Sequence, residues 1–399
     1  MKKTMKQWLA LVSAGVMTLS MASCSDLTGM LAGLTGGASV ESIESVEDDT
    51  PIILKEVTTA KNVILMIGDG MGPNQIKAGE LYRGEALAMQ QFPYMTTVET
   101  RSYNEIVTDS AAAATALATG VRTNNGVVGK NPAGEDLETI VDIAASLGKR
   151  TGIIATEDLW GATPMGFSSH ADSRNDKATL LTEATVSSNV NLFLSYAMAY
   201  KYRDVFPAAG FEMIDRAEDI SEATTDKVFG GYLIDAKAPS MSKEAACLAL
   251  DFLVTEALEY LSKDEDGFFL MTEGSHIDHG GHENNFTYML EELLAFDDAV
   301  KVVLEWAKDR DDTVVIVTAD HETGGLQLAG DLTHEQVVEM YGLRLGEGLY
   351  WTTTGHSATD VNCYINGANI DFASYSFGTA ERIKNTDVFE IMKSLMLSQ

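Results

Sequence analysis

Positive charge is scarce in this chain: 28 Lys+Arg stand against 59 Asp+Glu in 399 residues, a formal charge of −31 at pH 7. That balance excludes a basic surface for phosphate backbones, so no nucleic-acid partner is expected. An acidic protein can still handle an anion where bound divalent cations invert the field locally. Cysteine is almost absent. The three are Cys24, Cys247 and Cys363, too few for a disulfide framework, and pairing of the last two stays open. No short-period internal repeat is visible. With 45% hydrophobic residues the chain is not compositionally disordered, and its length allows one large core or two modest ones.

The N-terminus, "MKKTMKQWLALVSAGVMTLSMASCSD", carries Lys2, Lys3 and Lys6, then an apolar stretch from Trp8 to about Leu19, then small residues. This is the layout of a secretory signal, and its apolar part is short for a membrane span. "MASC" resembles a bacterial lipoprotein processing site, which makes Cys24 the expected lipidated first residue of the mature chain. The expected organisation is a signal peptide over 1–23, a flexible tether over 24–59 rich in Ser, Gly, Thr and acids, and one domain over 60–399. Export to the periplasm or cell surface, with anchorage to a bacterial membrane through Cys24, follows from that reading.

Four short apolar runs read as buried strands: "KNVILMIG" (61–68), "RTGIIAT" (150–156), "GFFLMTE" (267–273) and "DTVVIVTAD" (312–320). Helical patterns lie between them, notably 136–148, 242–263 and 284–309, and a closing amphipathic helix is expected over 386–397. Alternating strands and helices predict an α/β fold with a mainly parallel central sheet covered by helices on both faces. The stretches 207–239 and 330–354 read as excursions from the sheet edge. Ligands of such sheets bind at the carboxyl ends of the strands. There the sequence places Asp69 in "GDGMG", Thr163 in "GATP", Glu273, and the adjacent Asp320 and His321 in "TADHETGG".

Three of the seven His fall in "EGSHIDHGGHENN". Asp278 and His282 are four apart, so one helical turn or a tight turn brings them together on one metal; Gly280 and Gly281 argue against a regular helix. "TTTGHSATDV" adds His356. Mixed carboxylate and imidazole ligands suit zinc, whereas carboxylate and hydroxyl oxygens suit magnesium. In "VTDSAAAATALATG" (107–120) Asp109 and Ser110 open an Ala-rich helix. Both are ordinary capping residues, yet a helix N-terminus also suits an incoming anion and a nucleophile aimed at it.

These motifs in this order, "GDGMG", "TDSAAAATALATG", "ATP" with "HADSR", "EGSHIDHGGH", "TADH" and "GHS", resemble the alkaline phosphatase family from residue 61 to about 365. The resemblance implies Ser110 as the nucleophile that becomes phosphorylated. It implies Asp278, His282 and His356 as ligands of one zinc, and Asp69, Asp320 and His321 with Ser110 as ligands of a second. Asp69 is also expected to bridge to a magnesium held by Thr163 and Glu273. Arg174 matches the guanidinium that grips two phosphate oxygens, with Asp109 positioning it or capping the helix. His279 falls at a position that often contacts phosphate through water. Before "ATP", where many relatives have an Asp or His supporting the magnesium, this chain has Gly161, which leaves occupancy of the third site open.

The implied reaction is hydrolysis of phosphate monoesters with two zinc ions and one magnesium; the partners are small phosphomonoesters and inorganic phosphate, and a homodimer is left open. Two rivals stand beside it. A phosphodiesterase or sulfatase-like hydrolase on the same scaffold is disfavoured by Ser at the nucleophile position and by Arg174. A zinc-binding surface lipoprotein without catalysis is disfavoured because every implied nucleophile and zinc-ligand position is filled.

Overall fold

The computed structural model describes residues 59–195, 204–214, 216–230, 250–343, 346–367 and 382–397. The expected signal peptide, Cys24 and the tether up to residue 58 lie outside the described residues, as does Cys247. Among the described residues no helix is long and apolar enough to cross a membrane.

Among the described residues ten strands form one sheet: β1 (Asn62–Gly68), β2 (Tyr94–Glu99), β3 (Arg150–Ala155), β4 (Leu192–Ser195), β5 (Glu212–Ile214), β6 (Val228–Gly230), β7 (Phe268–Gly274), β8 (Thr313–Thr318), β13 (Val361–Gly367) and β14 (Arg382–Lys384). Four short strands, β9 (Glu322–Thr323), β10 (Leu326–Leu328), β11 (Leu349–Trp351) and β12 (His356–Ser357), pair outside it. The order across the sheet is β14-β2-β13-β8-β1-β7-β3-β4-β6-β5. Only β13 runs against its neighbours, β2 and β8. The four apolar runs of the sequence become β8, β1, β7 and β3, adjacent at the centre. Every residue of β1, β7 and β8 is buried, as expected of strands covered on both faces.

The cover comes from two packed groups of helices. Pro73–Arg83, Leu250–Leu261 and Phe286–Ala307 form one; Ser110–Thr119, Ile140–Ser146, Ala162–Gly166 and Asn385–Leu397 form the other. The 284–309 and 386–397 patterns fold as helices nearly to their expected ends. The 136–148 pattern starts late, at Ile140, because Thr139 and Asp142 close a capping box there.

The 205–230 region departs from expectation. It adds β6 and β5 to the sheet, parallel to β4, with Phe206 packed on Phe211, Phe229 and Phe193, and Phe193 on Phe211; residues 231–239 lie outside the described residues. The 330–354 stretch does leave the sheet. Its His334–Met340 helix packs on Pro73–Arg83, and β11 pairs with β10. Cys363 is a free, buried thiol on β13, and burial pushes its pKa up to about 12.

Candidate active site

The register of the four central strands sets the site. Glu273 on β7 lies level with Ile67 on β1 and Ala155 on β3, and Ile67 lies level with Thr318 on β8. Asp69 and Asp320 each stand two residues past that line, where the strands open at their carboxyl ends. Gly70 takes a left-handed conformation (φ 74°), and a Cβ there would lie 2.7 Å from the Asp278 Cα. Glycine therefore lets the β1 turn lie directly against the segment that carries Asp278. The Gly70 N–H donates to Asp320 Oδ1 at 3.2 Å.

Asp278 and His282 lie on a helix, His276–His282. The two glycines that argue against a helix serve packing instead: a Cβ on Gly280 would meet Met289 N at 2.4 Å, and one on Gly281 would meet Thr323 O at 2.8 Å. The helical turn places His282 Nε2 3.3 Å from Asp278 Oδ2. His356, carried on β12, brings its Nε2 to 3.6 Å from Asp278 Oδ1 and 3.3 Å from His282 Nε2. Both rings engage a backbone carbonyl through Nδ1, His282 on Thr354 at 2.6 Å and His356 on Thr108 at 2.8 Å. The Nδ1–H donates in each case, which leaves two Nε2 lone pairs facing each other beside a carboxylate, an arrangement that calls for a cation. Burial, with the neighbouring His321 charge adding to it, pushes His356 down to about 4, so its ring is neutral and competent to coordinate.

A second cluster adjoins the first. His321 Nε2 lies 3.1 Å from Asp320 Oδ2, 3.6 Å from Asp69 Oδ1 and 3.2 Å from Ser110 Oγ. Asp278 is shared: it groups with Asp69 and His321 as well as with His282 and His356. Thr323 Oγ1 donates to Asp278 Oδ1 at 2.5 Å and lies 3.2 Å from His321 Nδ1. Thr163 is the second residue of the Ala162–Gly166 helix after β3, and Glu273 is fully buried. Asp69 Oδ1, Asp320 Oδ2, Thr163 Oγ1 and both Glu273 carboxylate oxygens are buried without a hydrogen bond. Burial, then the charge of neighbouring carboxylates, raises Asp69 and Glu273 well above the usual carboxylate range. Acceptors left so are costly unless a cation takes them up; the donor set therefore fits divalent metals.

Ser110 is the first residue of the Ser110–Thr119 helix, all ten of whose residues are buried. Small side chains make that depth accessible: a Cβ on Gly166 would lie 2.7 Å from the Ala114 Cβ, and Thr115 and Thr119 satisfy their hydroxyls on carbonyls one turn back. Asp109 performs both tasks considered for it. One oxygen accepts from Ala112 N and Gly126 N at 3.0 Å, and the other accepts from Arg174 Nη1 at 3.2 Å. The Arg174 side chain remains 34% exposed, so its fork stays open to a ligand. His279 sits half-buried with its ring 4.6 Å from that of His276.

Two contributors escaped the sequence reading. Glu322 accepts from Gln75 Nε2 at 2.8 Å, from Gly325 N and Leu326 N at 3.2 Å, and from Ser357 Oγ. It thereby ties β9 to β12, the strand that delivers His356. Glu157, two residues past the end of β3, is the other. The strand-end logic that singled out Asp69 applies to it equally.

The sequence matches the alkaline phosphatase family over residues 60–226 and 203–345. It is 31% identical over 290 residues to alkaline phosphatase 3 of Bacillus subtilis, a match covering 68% of this chain and 63% of that protein. Among solved structures, alkaline phosphatase from the Antarctic bacterium TAB5 is similar at 29% identity and a TM-score of 0.74, covering 86% of this chain and 100% of that one. A TAB5 variant with a histidine replaced by glutamate, 30% identical with a TM-score of 0.73 over the same shares, has magnesium bound in its M3 site.

Proposed function

Because the chain belongs to the alkaline phosphatase family, we propose that it hydrolyses phosphate monoesters to an alcohol and inorganic phosphate, with Ser110 transiently phosphorylated. The observation that carries this reading is the position of Ser110. It stands on the first turn of a buried helix, 3.2 Å from His321 in a cluster that calls for cations, and beside the Asp109 that holds Arg174.

In this reading Asp278, His282 and His356 hold one zinc, Asp69, Asp320 and His321 a second together with Ser110, and Thr163, Glu273 and Asp69 a magnesium. The nitrogen-bearing sets suit zinc and the oxygen-only set suits magnesium. When bound, such cations stabilise the anionic oxygens of the attacking and departing groups. The chain's own residues do the rest. Arg174 orients two phosphate oxygens through its planar fork, and the N–H groups opening the Ser110 helix add positive potential where charge accumulates. Ser110 Oγ forms a bond to phosphorus as the ester oxygen leaves. Water then forms the new P–O bond from the vacated side, and Ser110 departs restored.

The test is hydrolysis of p-nitrophenyl phosphate at alkaline pH by the purified chain, before and after chelation, with Ser110→Ala alongside. Activity is expected to vanish on chelation, to return with zinc, and to fall by at least about a thousandfold in the variant, since loss of a nucleophile removes most of the catalysis. Fully metallated protein that leaves the ester intact, or that turns over the bis-ester faster, overturns the proposal.

A further inference from the structure

Gly161 caps the short helix that carries Thr163 and brings no side chain of its own to that end of the sheet. Its backbone (φ −50°, ψ 148°) is open to any residue, so conformation does not demand glycine there. Space does. A Cβ on Gly161 would fall 1.8 Å from Glu157 Oε1 and 2.6 Å from its carboxyl carbon. The volume of a side chain at 161 is filled by the carboxylate of a residue four positions earlier.

Three further observations fix what that carboxylate faces. In the sheet register Ala155 is level with Glu273 and so is Ile67, so Glu157 occupies on β3 the strand-end position that Asp69 occupies on β1. The Glu157 charge acts on Glu273, raising it further after burial itself, in keeping with that placement at the same end of the sheet. The cations near Glu157 are engaged elsewhere: Arg174 donates to Asp109 at 3.2 Å, and Lys177 Nζ donates to the Trp160 carbonyl at 2.8 Å. The Glu157 carboxylate, the unsatisfied Glu273 oxygens, the Thr163 hydroxyl and Asp69 make an all-oxygen donor set of the kind magnesium takes.

The geometry points to Glu157 as the carboxylate that completes the magnesium site with Thr163, Glu273 and Asp69, supplied from the end of β3 in place of a side chain at 161. This rests on the three-metal reading above. Glu157 would bind the ion or one of its waters.

The test is calorimetric titration of Mg2+ alone into the zinc-loaded full chain, with zinc counted by elemental analysis. Wild type is expected to take up one Mg2+ beside two zinc. Glu157→Gln and Glu157→Ala are each expected to weaken Mg2+ binding by about 10-fold to 100-fold, the range for removing a group that orients or supports a metal's ligands, with zinc content unchanged. The double variant Glu157→Ala/Gly161→Asp, in which the vacated space admits a carboxylate from the other position, is expected to recover most of the affinity. Unchanged Mg2+ affinity in both Glu157 variants overturns the assignment, and so does loss of zinc along with magnesium. A wild-type chain that binds two zinc and no third ion overturns the third site itself, an outcome visible without any variant. If Glu157→Ala does not fold, the near-isosteric Glu157→Gln and the double variant decide.

Discussion

At the scale of single residues, the same side chain often serves both folding and chemistry. Asp109 caps the Ser110 helix with one oxygen and holds Arg174 with the other, so Asp109→Ala is expected to show two separable effects. Loss of the cap lowers stability by about 1 kcal/mol, read as a fall in Tm. Release of Arg174 leaves its guanidinium to be ordered by the ligand at binding, so the inhibition constant for inorganic phosphate is expected to rise several-fold. A variant with lowered Tm and unchanged phosphate inhibition would show that Arg174 needs no such anchor. Asp109 and Arg174 are legible as candidates from "TDS" and "HADSR", whereas their contact is not, since 65 residues separate them.

At the scale of elements, glycines decide how closely the metal-bearing segments approach. Read as sequence, "DHGGH" argues against a helix on propensity. The helix forms because Gly280 lets it touch the backbone of the Phe286–Ala307 helix at Met289, and tertiary contact outweighs the propensity cost. Gly280→Ala is therefore expected to destabilise the fold by about 1 to 3 kcal/mol through overpacking, although alanine is the better helix former. Because the displaced helix carries both Asp278 and His282, zinc affinity should fall in the same variant, measured by competition with a chromophoric chelator. A rise in Tm would show that helix propensity, not the Met289 contact, governs the segment. The Glu322 network belongs to this scale too: it joins β9, β12 and the Pro73–Arg83 helix through one carboxylate, a role that no local pattern around "TADHETGG" could announce.

At the scale of the whole molecule, acidity is both a liability and the basis of the site. Asp69, Glu273 and Glu157 are all raised by burial in the fold, Glu157 to about 7 from an ordinary 4.5. In the metal-free chain the native state thus binds protons that the unfolded chain has already lost, and its stability declines as pH rises through the raised values. The metal-free protein is expected to melt higher at pH 6 than at pH 8. In the metal-loaded protein protons compete with cations for the same oxygens and nitrogens, so its Tm should change in the opposite direction. Paired scanning calorimetry with and without a chelator measures both slopes; a chelated protein whose Tm is flat or higher at pH 8 would refute the first expectation.

The sequence by itself determined the α/β class, the four central strands and the identity of the groups at their carboxyl ends, because burial on both faces writes a strand as a compact apolar run and a polar residue just past it stands out. It also singled out Ser110, Asp278, His282, His356, Asp320 and His321, since few other residue types can do metal and nucleophile chemistry. Only the tertiary structure decided that Asp278 faces both clusters, that Glu322 braces the strand carrying His356, that 205–230 extends the sheet, and that Glu157 fills the space beside Gly161. Each of these depends on residues brought together by strand register and helix packing, and neither is expressed in the local order of amino acids.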